Sequence, residues 1–221
     1  MKRLFGRKKG KKLRSRQAGL VTEALPALSV DPAQPINSAA LFPVAVEGLR
    51  LEIGFGDGEN LARMALSLPQ TGFIGCEPYV NGVAKMLVRL EDEGLHNVRL
   101  FAGDAAEVLR ALPRGSLDGI DLFYPDPWPK RRQRQRRFVS DMTMQLMAGA
   151  LRPGAPLRFA SDIDHYPGWM LAHAARNADL IWQAKDAHDW LVPWDGWQST
   201  RYEMKARREG RTSAYLTFTR R

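Results

Sequence analysis

From residue 49 onward, short apolar runs alternate with amphipathic stretches, and few folds accommodate that rhythm. LRLEIG, GFIGCE, VRLF, LDGIDLFY and APLRFAS read as strands. ENLARMALSL, VNGVAKMLVRLEDE, DAAEVLRAL and RRFVSDMTMQLMAGAL read as the helices between them, the last stopped by Arg-Pro-Gly. Strands alternating with helices of this length imply βαβ crossovers and a mainly parallel sheet. A weak sixth strand is expected over residues 179–183, and TSAYLTFTR alternates as a closing strand. At 221 residues the chain suits one large domain with a sizeable core. We therefore expect a single α/β domain over residues 19–221, preceded by a basic, disordered arm at 1–18. Residues 19–47, with four scattered prolines, read as an irregular lead-in containing one helix.

The charge is unevenly placed. Residues 1–17 hold nine Lys or Arg and no acid, equal to the whole net charge of +9. KRRQRQRR at 130–137 places six basic residues in eight, and a third cluster spans 201–221. Such runs repel themselves unless a polyanion neutralises them, and counterion release then favours binding. Three of them in one small chain point to nucleic acid. No apolar run is long enough to cross a bilayer, and no amphipathic helix accompanies the charges, so no membrane partner is expected. The N-terminus lacks the apolar stretch of a secretory signal, which leaves the cytoplasm as the expected location. Cys76 is the lone cysteine and the four histidines form no ligand spacing, so no metal is expected. Monomer and homodimer are both compatible with the sequence.

LEIGFGDGENL places Gly54, Gly56 and Gly58 between the first strand and the first helix. Glycines there let the backbone turn tightly and approach a ligand. A dinucleotide pyrophosphate is disfavoured, because the spacing is GxGxG and Glu52 stands two residues before the first glycine. A carboxylate beside the loop suits an ammonium or sulfonium group instead. Glu77 ends the second strand, where an acid accepts from ribose hydroxyls. Asp104 follows the third strand, either accepting from an adenine amino group or capping the next helix. Acids after three successive strands form a pattern that fits S-adenosylmethionine. After the fourth strand, YPDPWPK alternates prolines with Asp126, Trp128 and Lys130 in a stiff extended segment. It would fix a carboxylate and a cation where the methyl group should sit.

The elements NSAALFP, LEIGFGDGENL, FIGCEPYVNGVAKML, GDAAEVL, YPDPWPKRR, SDIDHY and TRYEMKARREG resemble the bacterial tRNA (guanine-N7)-methyltransferase family in order and spacing. The resemblance covers essentially everything after the basic arm. It implies a Rossmann-like class I methyltransferase fold, a seven-stranded sheet with an antiparallel last strand, and methyl transfer to N7 of a guanosine at position 46 of the tRNA variable loop. It implies cofactor contacts from Glu52, Gly54, Gly56, Glu77, Asp104 and Asp126. Substrate contacts follow at Lys130, Asp162, Thr200, Arg201, Tyr202 and Glu203, with Glu203 or Asp162 reading the guanine edge. Arg131, Arg132, Arg134, Arg136 and Arg137 are expected against RNA, and Asp126 is the candidate catalytic carboxylate. The chain departs from the family at Gln133, where a histidine is common, and at Asp57 and Asn60, where glycine and histidine are expected. Trp190, Trp194 and Trp197 either stack on an unpaired base or form a lid over the sheet. The rival readings are an adenine amino-group methyltransferase, suggested by DPW, a catalytically dead RNA-binding module, and a nicotinamide oxidoreductase. The last lacks a credible acid/base pair for hydride transfer.

Overall fold

The computed structural model describes residues 10–221. Its strands are β1 (Gly48–Ile53), β2 (Thr71–Cys76), β3 (Val98–Phe101), β4 (Gly119–Phe123), β5 (Pro156–Ser161), β6 (Leu180–Trp182) and β7 (Ala214–Arg220). They form one sheet in the order β3-β2-β1-β4-β5-β7-β6. β1 to β5 are parallel, and β7 runs antiparallel between β5 and β6. The helices are α1 (Ser15–Glu23), α2 (Leu25–Leu28), α3 (Ser38–Leu41), α4 (Glu59–Ser67), α5 (Val80–Asp92), α6 (Ala105–Ala111), α7 (Asp141–Ala150), α8 (His165–Ala174), α9 (His188–Leu191) and α10 (Arg201–Arg208). The expected mixed sheet with an antiparallel last strand is the one found.

Period-two alternation divides the core. Leu49, Leu51 and Ile53 of β1, with Ile74 and Cys76 of β2, join Val108, Met144, Met147, Tyr166 and Met170 in one cluster with α6, α7 and α8. Phe73, Val98 and Leu100 instead meet Leu61, Val83, Met86 and Leu87 of α4 and α5. Each such side chain contributes about 1.5–3 kcal/mol when fully buried, which is why strands covered on both sides read as nearly continuous apolar runs.

The differences from expectation lie at element ends. Residues 15–18, expected within a disordered arm, are helical: α1 begins at Ser15 and packs along α5. Arg16 pairs with Glu91 and Asp92, while Gly10 N–H donates to Asn81 Oδ1 at 2.7 Å and Asn81 Nδ2 donates to the Lys11 carbonyl at 2.7 Å. Residues 1–9 of the expected arm lie outside the described residues. The helix expected from Arg136 starts later, at Asp141, because Ser140 caps it in a reciprocal box with Thr143. Arg131–Arg136 forms a separate 3-10 turn. The helix α8 was not anticipated: Pro167 and Gly168 mask its signal, although proline is tolerated in a first turn.

The turn leaving α4 hangs on one side chain. Buried Asn97, just before β3, points its amide nitrogen at the carbonyls of Ala65, Leu68 and Thr71, at 3.0, 3.3 and 2.9 Å. Asn97→Ala would orphan these acceptors and is expected to cost about 1–3 kcal/mol, measured by urea unfolding. A change within experimental error would contradict that role.

Candidate active site

A cleft of about 490 Å³ opens at the C-terminal ends of β1 to β4, within the ~300–1,000 Å³ range of small-molecule sites. Gly54, Gly56, Glu77, Asp104, Asp126 and Tyr202 are among its lining residues. Gly54 and Gly56 both adopt left-handed φ, at 74° and 57°, which bends the loop back from β1. Close approach matters on the opposite wall as well. A Cβ on Gly82 of α5 would fall 2.3 Å from the Gly56 carbonyl oxygen, so any larger residue there would push the helix off the loop.

The strand-end acids are fixed from below. Glu77 Oε2 accepts from Gly56 N–H at 2.9 Å and Oε1 from Tyr79 N–H at 2.8 Å. Its carboxylate therefore braces the glycine loop and keeps lone pairs free toward the cleft. Burial raises its pKa above the ordinary carboxylate value. Asp104 caps α6, its Oδ1 accepting from Ala106 N–H at 3.0 Å, and lines the cleft as well. Glu52 sits deeper, in a small recess that shares Gly54 and Tyr202 with the cleft. It accepts from Asn60 Nδ2 at 2.8 Å, so the asparagine departure directly supports the acid. Burial, with Asp121 beside it on β4, pushes the Glu52 carboxyl up to about 8.

Strain is concentrated after β4. Tyr124 and Trp128 have φ of 48° and 41°, a region that bulky residues seldom enter, and each precedes a proline that disfavours it further. Such residues cost about 1–3 kcal/mol each and persist only where the surroundings enforce them. Between them, Asp126 faces the cleft while its surface stays open to solvent, and partial desolvation raises its pKa. Lys130, Arg131 and Arg132 are exposed, and Arg134 and Arg136 are partly covered, Arg136 lying 5.1 Å from the Trp128 ring. Arg137, expected among the RNA-facing arginines, is placed differently from Lys130, Arg131 and Arg132: it lines the cleft with almost no surface open to solvent. It is 1% exposed, its guanidinium lies 4.7 and 4.9 Å from the Tyr166 and Trp169 rings, and its Nε donates to the Pro127 carbonyl at 2.7 Å.

The TRYE element forms the first turn of α10. Thr200 Oγ1 caps it by accepting from Glu203 N–H at 3.2 Å. Arg201 reaches across the mouth to Asp57 of the glycine loop at 2.6 Å, and Asp57 also pairs with Lys85 of α5 at 2.6 Å. The unexpected acid in the loop thus joins three walls of the cleft, a role that no local sequence signal reveals. Tyr202 is half-exposed, its ring near-parallel to Tyr124 at an 18° angle with centroids 6.4 Å apart. Glu203, expected at the guanine edge, has a wholly buried side chain that faces its own neighbours. It accepts from Trp197 Nε1 at 2.6 Å and Tyr215 OH at 2.7 Å, and pairs with Arg207. Asp162, the other acid expected at the base, does not line the cleft and pairs with Arg211 at 2.8 Å. Trp194 and Trp197 pack edge-on against one another and against Tyr215, Trp197 meets Phe123 edge-on and Trp194 meets it tilted, and Trp190 packs on the main core. They form packing around the sheet, not a free stacking platform.

A glycine loop and strand-end acids around a cleft on a 3-2-1-4-5-7-6 sheet define a Rossmann-like class I methyltransferase. A family model described as a putative methyltransferase matches residues 47–216. Over 98% of its length the chain is 55% identical to a tRNA (guanine-N(7)-)-methyltransferase of Nitrobacter winogradskyi, covering 85% of that protein. Identity to the protein of the same name from Agrobacterium fabrum is 52%, over 98% of this chain and 94% of that one. The chain belongs to the tRNA (guanine-N7)-methyltransferase family. Among solved structures, the 16S rRNA (adenine(1408)-N(1))-methyltransferase from Catenulisporales acidiphilia shares the fold, with a TM-score of 0.54 at 16% identity, over 87% of this chain and 94% of that one. The aminoglycoside resistance methyltransferase NpmB1 does so too, with a TM-score of 0.54 at 16% identity, over 80% and 89%.

The raised Glu52 pKa makes stability depend on pH in a stated direction. From about 4.5 to about 8 the unfolded chain releases this proton while the folded chain keeps it, so this acid's contribution to stability falls as pH rises. Glu52→Gln removes the fall. Relative to the parent, the variant is expected to gain stability between pH 5 and pH 8 in urea unfolding; an equal difference at both pH values would contradict the burial of the acid.

Proposed function

We propose that this chain methylates N7 of a guanosine at position 46 of the tRNA variable loop, using S-adenosylmethionine, in the cytoplasm and as a monomer or homodimer. The observation that carries the reading is one cleft that combines Glu77, Asp104 and Asp126 with Trp128 and Arg136, the exposed cations Lys130, Arg131 and Arg132 lying between those two in the chain. The near-full-length relatives named tRNA (guanine-N(7)-)-methyltransferase support the substrate. Among the described residues, no helix is long and apolar enough to cross a membrane.

The donor set fits the cofactor. Glu77 would accept from ribose hydroxyls, Asp104 from the adenine amino group, and Glu52 in its recess would face the ammonium end. When bound, S-adenosylmethionine supplies an electrophilic methyl group on a sulfonium centre. Guanine N7 carries a free lone pair, so no residue of this chain has to remove a proton from it. What the site must do is align the base and stabilise a positive charge that passes to it. Asp126 supplies a carboxylate on a rigid segment for that purpose. Tyr202 and Tyr124 offer planar faces at the mouth on which an unstacked base can lie. Thr200 and Arg201 hold the mouth in place, and the exposed cations Lys130, Arg131 and Arg132 meet phosphates.

Bulk unmodified tRNA, incubated with labelled cofactor and mapped by nucleoside analysis, is expected to yield 7-methylguanosine in the variable loop. N6-methyladenosine as the product would overturn the reading. Asp126→Asn should lower turnover without introducing a solvent isotope effect, whereas an effect signalling rate-limiting proton abstraction would contradict the mechanism. Glu77→Ala should weaken cofactor binding more than tRNA binding, as calorimetry would show.

Deleting residues 1–9 removes five positive charges and leaves the anchor at Gly10 intact. The truncated chain should bind cofactor normally but bind tRNA with a shallower dependence of log affinity on log salt. An unchanged slope would remove this segment from the RNA-binding surface.

A further inference from the structure

We propose that Arg137 is a positioning residue: a buried clamp that fixes the strained PDPWP segment, and with it the Asp126 carboxyl, and makes no contact with RNA. The inference rests on the reading of Asp126 as the carboxylate beside the transferred methyl group.

Six basic residues stand in the run 130–137, and composition cannot distinguish among them. The structure does. Lys130, Arg131 and Arg132 are exposed, whereas Arg137 has 1% of its surface accessible and is the largest wholly buried side chain in the described residues. Burying a guanidinium is costly, so what surrounds it matters. Beside the cleft that it helps to line, Arg137 meets two aromatic faces and one backbone carbonyl. Tyr166 of α8 lies 4.7 Å from its carbon centre and Trp169, one turn along the same helix, lies 4.9 Å away. Two electron-rich faces thus hold the cation in a low-dielectric setting. The Trp169 ring is itself locked, since its Nε1 donates to the Val139 carbonyl at 2.9 Å. Held this way, Arg137 directs Nε at the Pro127 carbonyl, 2.7 Å away.

That carbonyl lies between the two residues of highest backbone strain. Tyr124 and Trp128 are both left-handed and both precede proline, so the segment 124–129 would relax if released. Proline lacks an N–H, so the three prolines at 125, 127 and 129 offer no backbone donors for hydrogen bonds to neighbouring strands. The segment must be held by its ring contacts and carbonyls. At one end Tyr124 N–H donates to the Ala160 carbonyl at 2.8 Å and its hydroxyl meets Ser213 Oγ at 3.0 Å. At the other, Arg136 covers the Trp128 ring and Arg137 takes the Pro127 carbonyl next to Asp126. The chain 126–137 therefore closes on itself, with Arg137 as the pin.

The experiment compares Arg137→Lys and Arg137→Gln with Arg131→Gln, reading tRNA affinity at several salt concentrations and single-turnover methyl transfer at saturating tRNA and cofactor. For both Arg137 variants the tRNA affinity and its salt slope should match the parent, while the single-turnover rate falls about 10- to 100-fold, as misplacement of a reacting group produces. Lysine should not rescue the rate, because it keeps the charge but loses the planar fork. Arg131→Gln should behave in the opposite way, with weaker binding and a shallower slope. A shallower slope with an unchanged rate in the Arg137 variants would make it a phosphate contact and overturn the proposal. Full rescue by lysine would also overturn it. Where the Arg137 variants do not fold, Trp169→Phe, which keeps the ring face but frees it from Val139, should show the same split at smaller amplitude; a loss of tRNA affinity alone would count against the clamp. A parent enzyme that makes no 7-methylguanosine overturns the functional reading, and the binding measurements still decide whether Arg137 touches RNA.

Discussion

Everything in the molecule follows from the reversal of strand order at β1. The chain builds outward from β1 to β2 and β3, then returns to place β4 and β5 on the other side of it. The loops leaving β1 and β4 must therefore part in opposite directions, and the gap between them is a crevice that no side chain has to excavate. The glycine loop fills one lip and the PDPWP segment the other. The acids sit where they do because each parallel strand delivers its final residue to the same edge. Chemistry at this edge is a consequence of topology before it is one of residue choice.

The second constraint is energetic. Two left-handed pre-proline residues beside the crevice are an unfavourable way to build a loop, and the protein opposes that strain with contacts from three directions: α8 through Arg137, β5 through Ala160, and the segment before β7 through Ser213. These contacts come from distant parts of the chain, so the rigidity of the site depends on completed tertiary structure. Buried Glu203 does comparable work on the facing wall, tying α10 to Trp197 and Tyr215.

The sheet was legible because period-two burial leaves a direct imprint: VRLF at 98–101 became β3 with the same limits, and the other strands moved by a residue or two. The strand-end acids were legible for the same reason, since their place follows from the strand order. The burial of Arg137 and Glu203 was not legible, because a run of arginines or a TRYE motif carries type and spacing but not direction. Whether a charged side chain points to water or inward depends on Tyr166, Trp169, Trp197 and Tyr215, which lie 6 to 32 positions away in the sequence. Asp57 shows the same limit, since its partners come from α5 and α10 and only its departure from the family pattern singled it out. The helix α8 was hidden for a local reason, a Pro-Gly pair in its first turn.

The strand order has one more consequence, for how the protein is made. β7 comes last among the strands but lies inside the sheet, so β6 has no neighbour and β5 keeps an open edge until β7 arrives. A ribosome releases the chain at about 5–20 residues per second, so the nascent sheet holds this gap for the seconds that separate the emergence of β6 from that of β7. Tyr215, within β7, is also the residue that seats Glu203. A product that lost only this strand would keep its glycine loop and all its strand-end acids yet lack the brace on the facing wall. Closure of the sheet and bracing of the cleft's facing wall are therefore one event, and a chain without β7 carries the parts of the site without the frame that closes it.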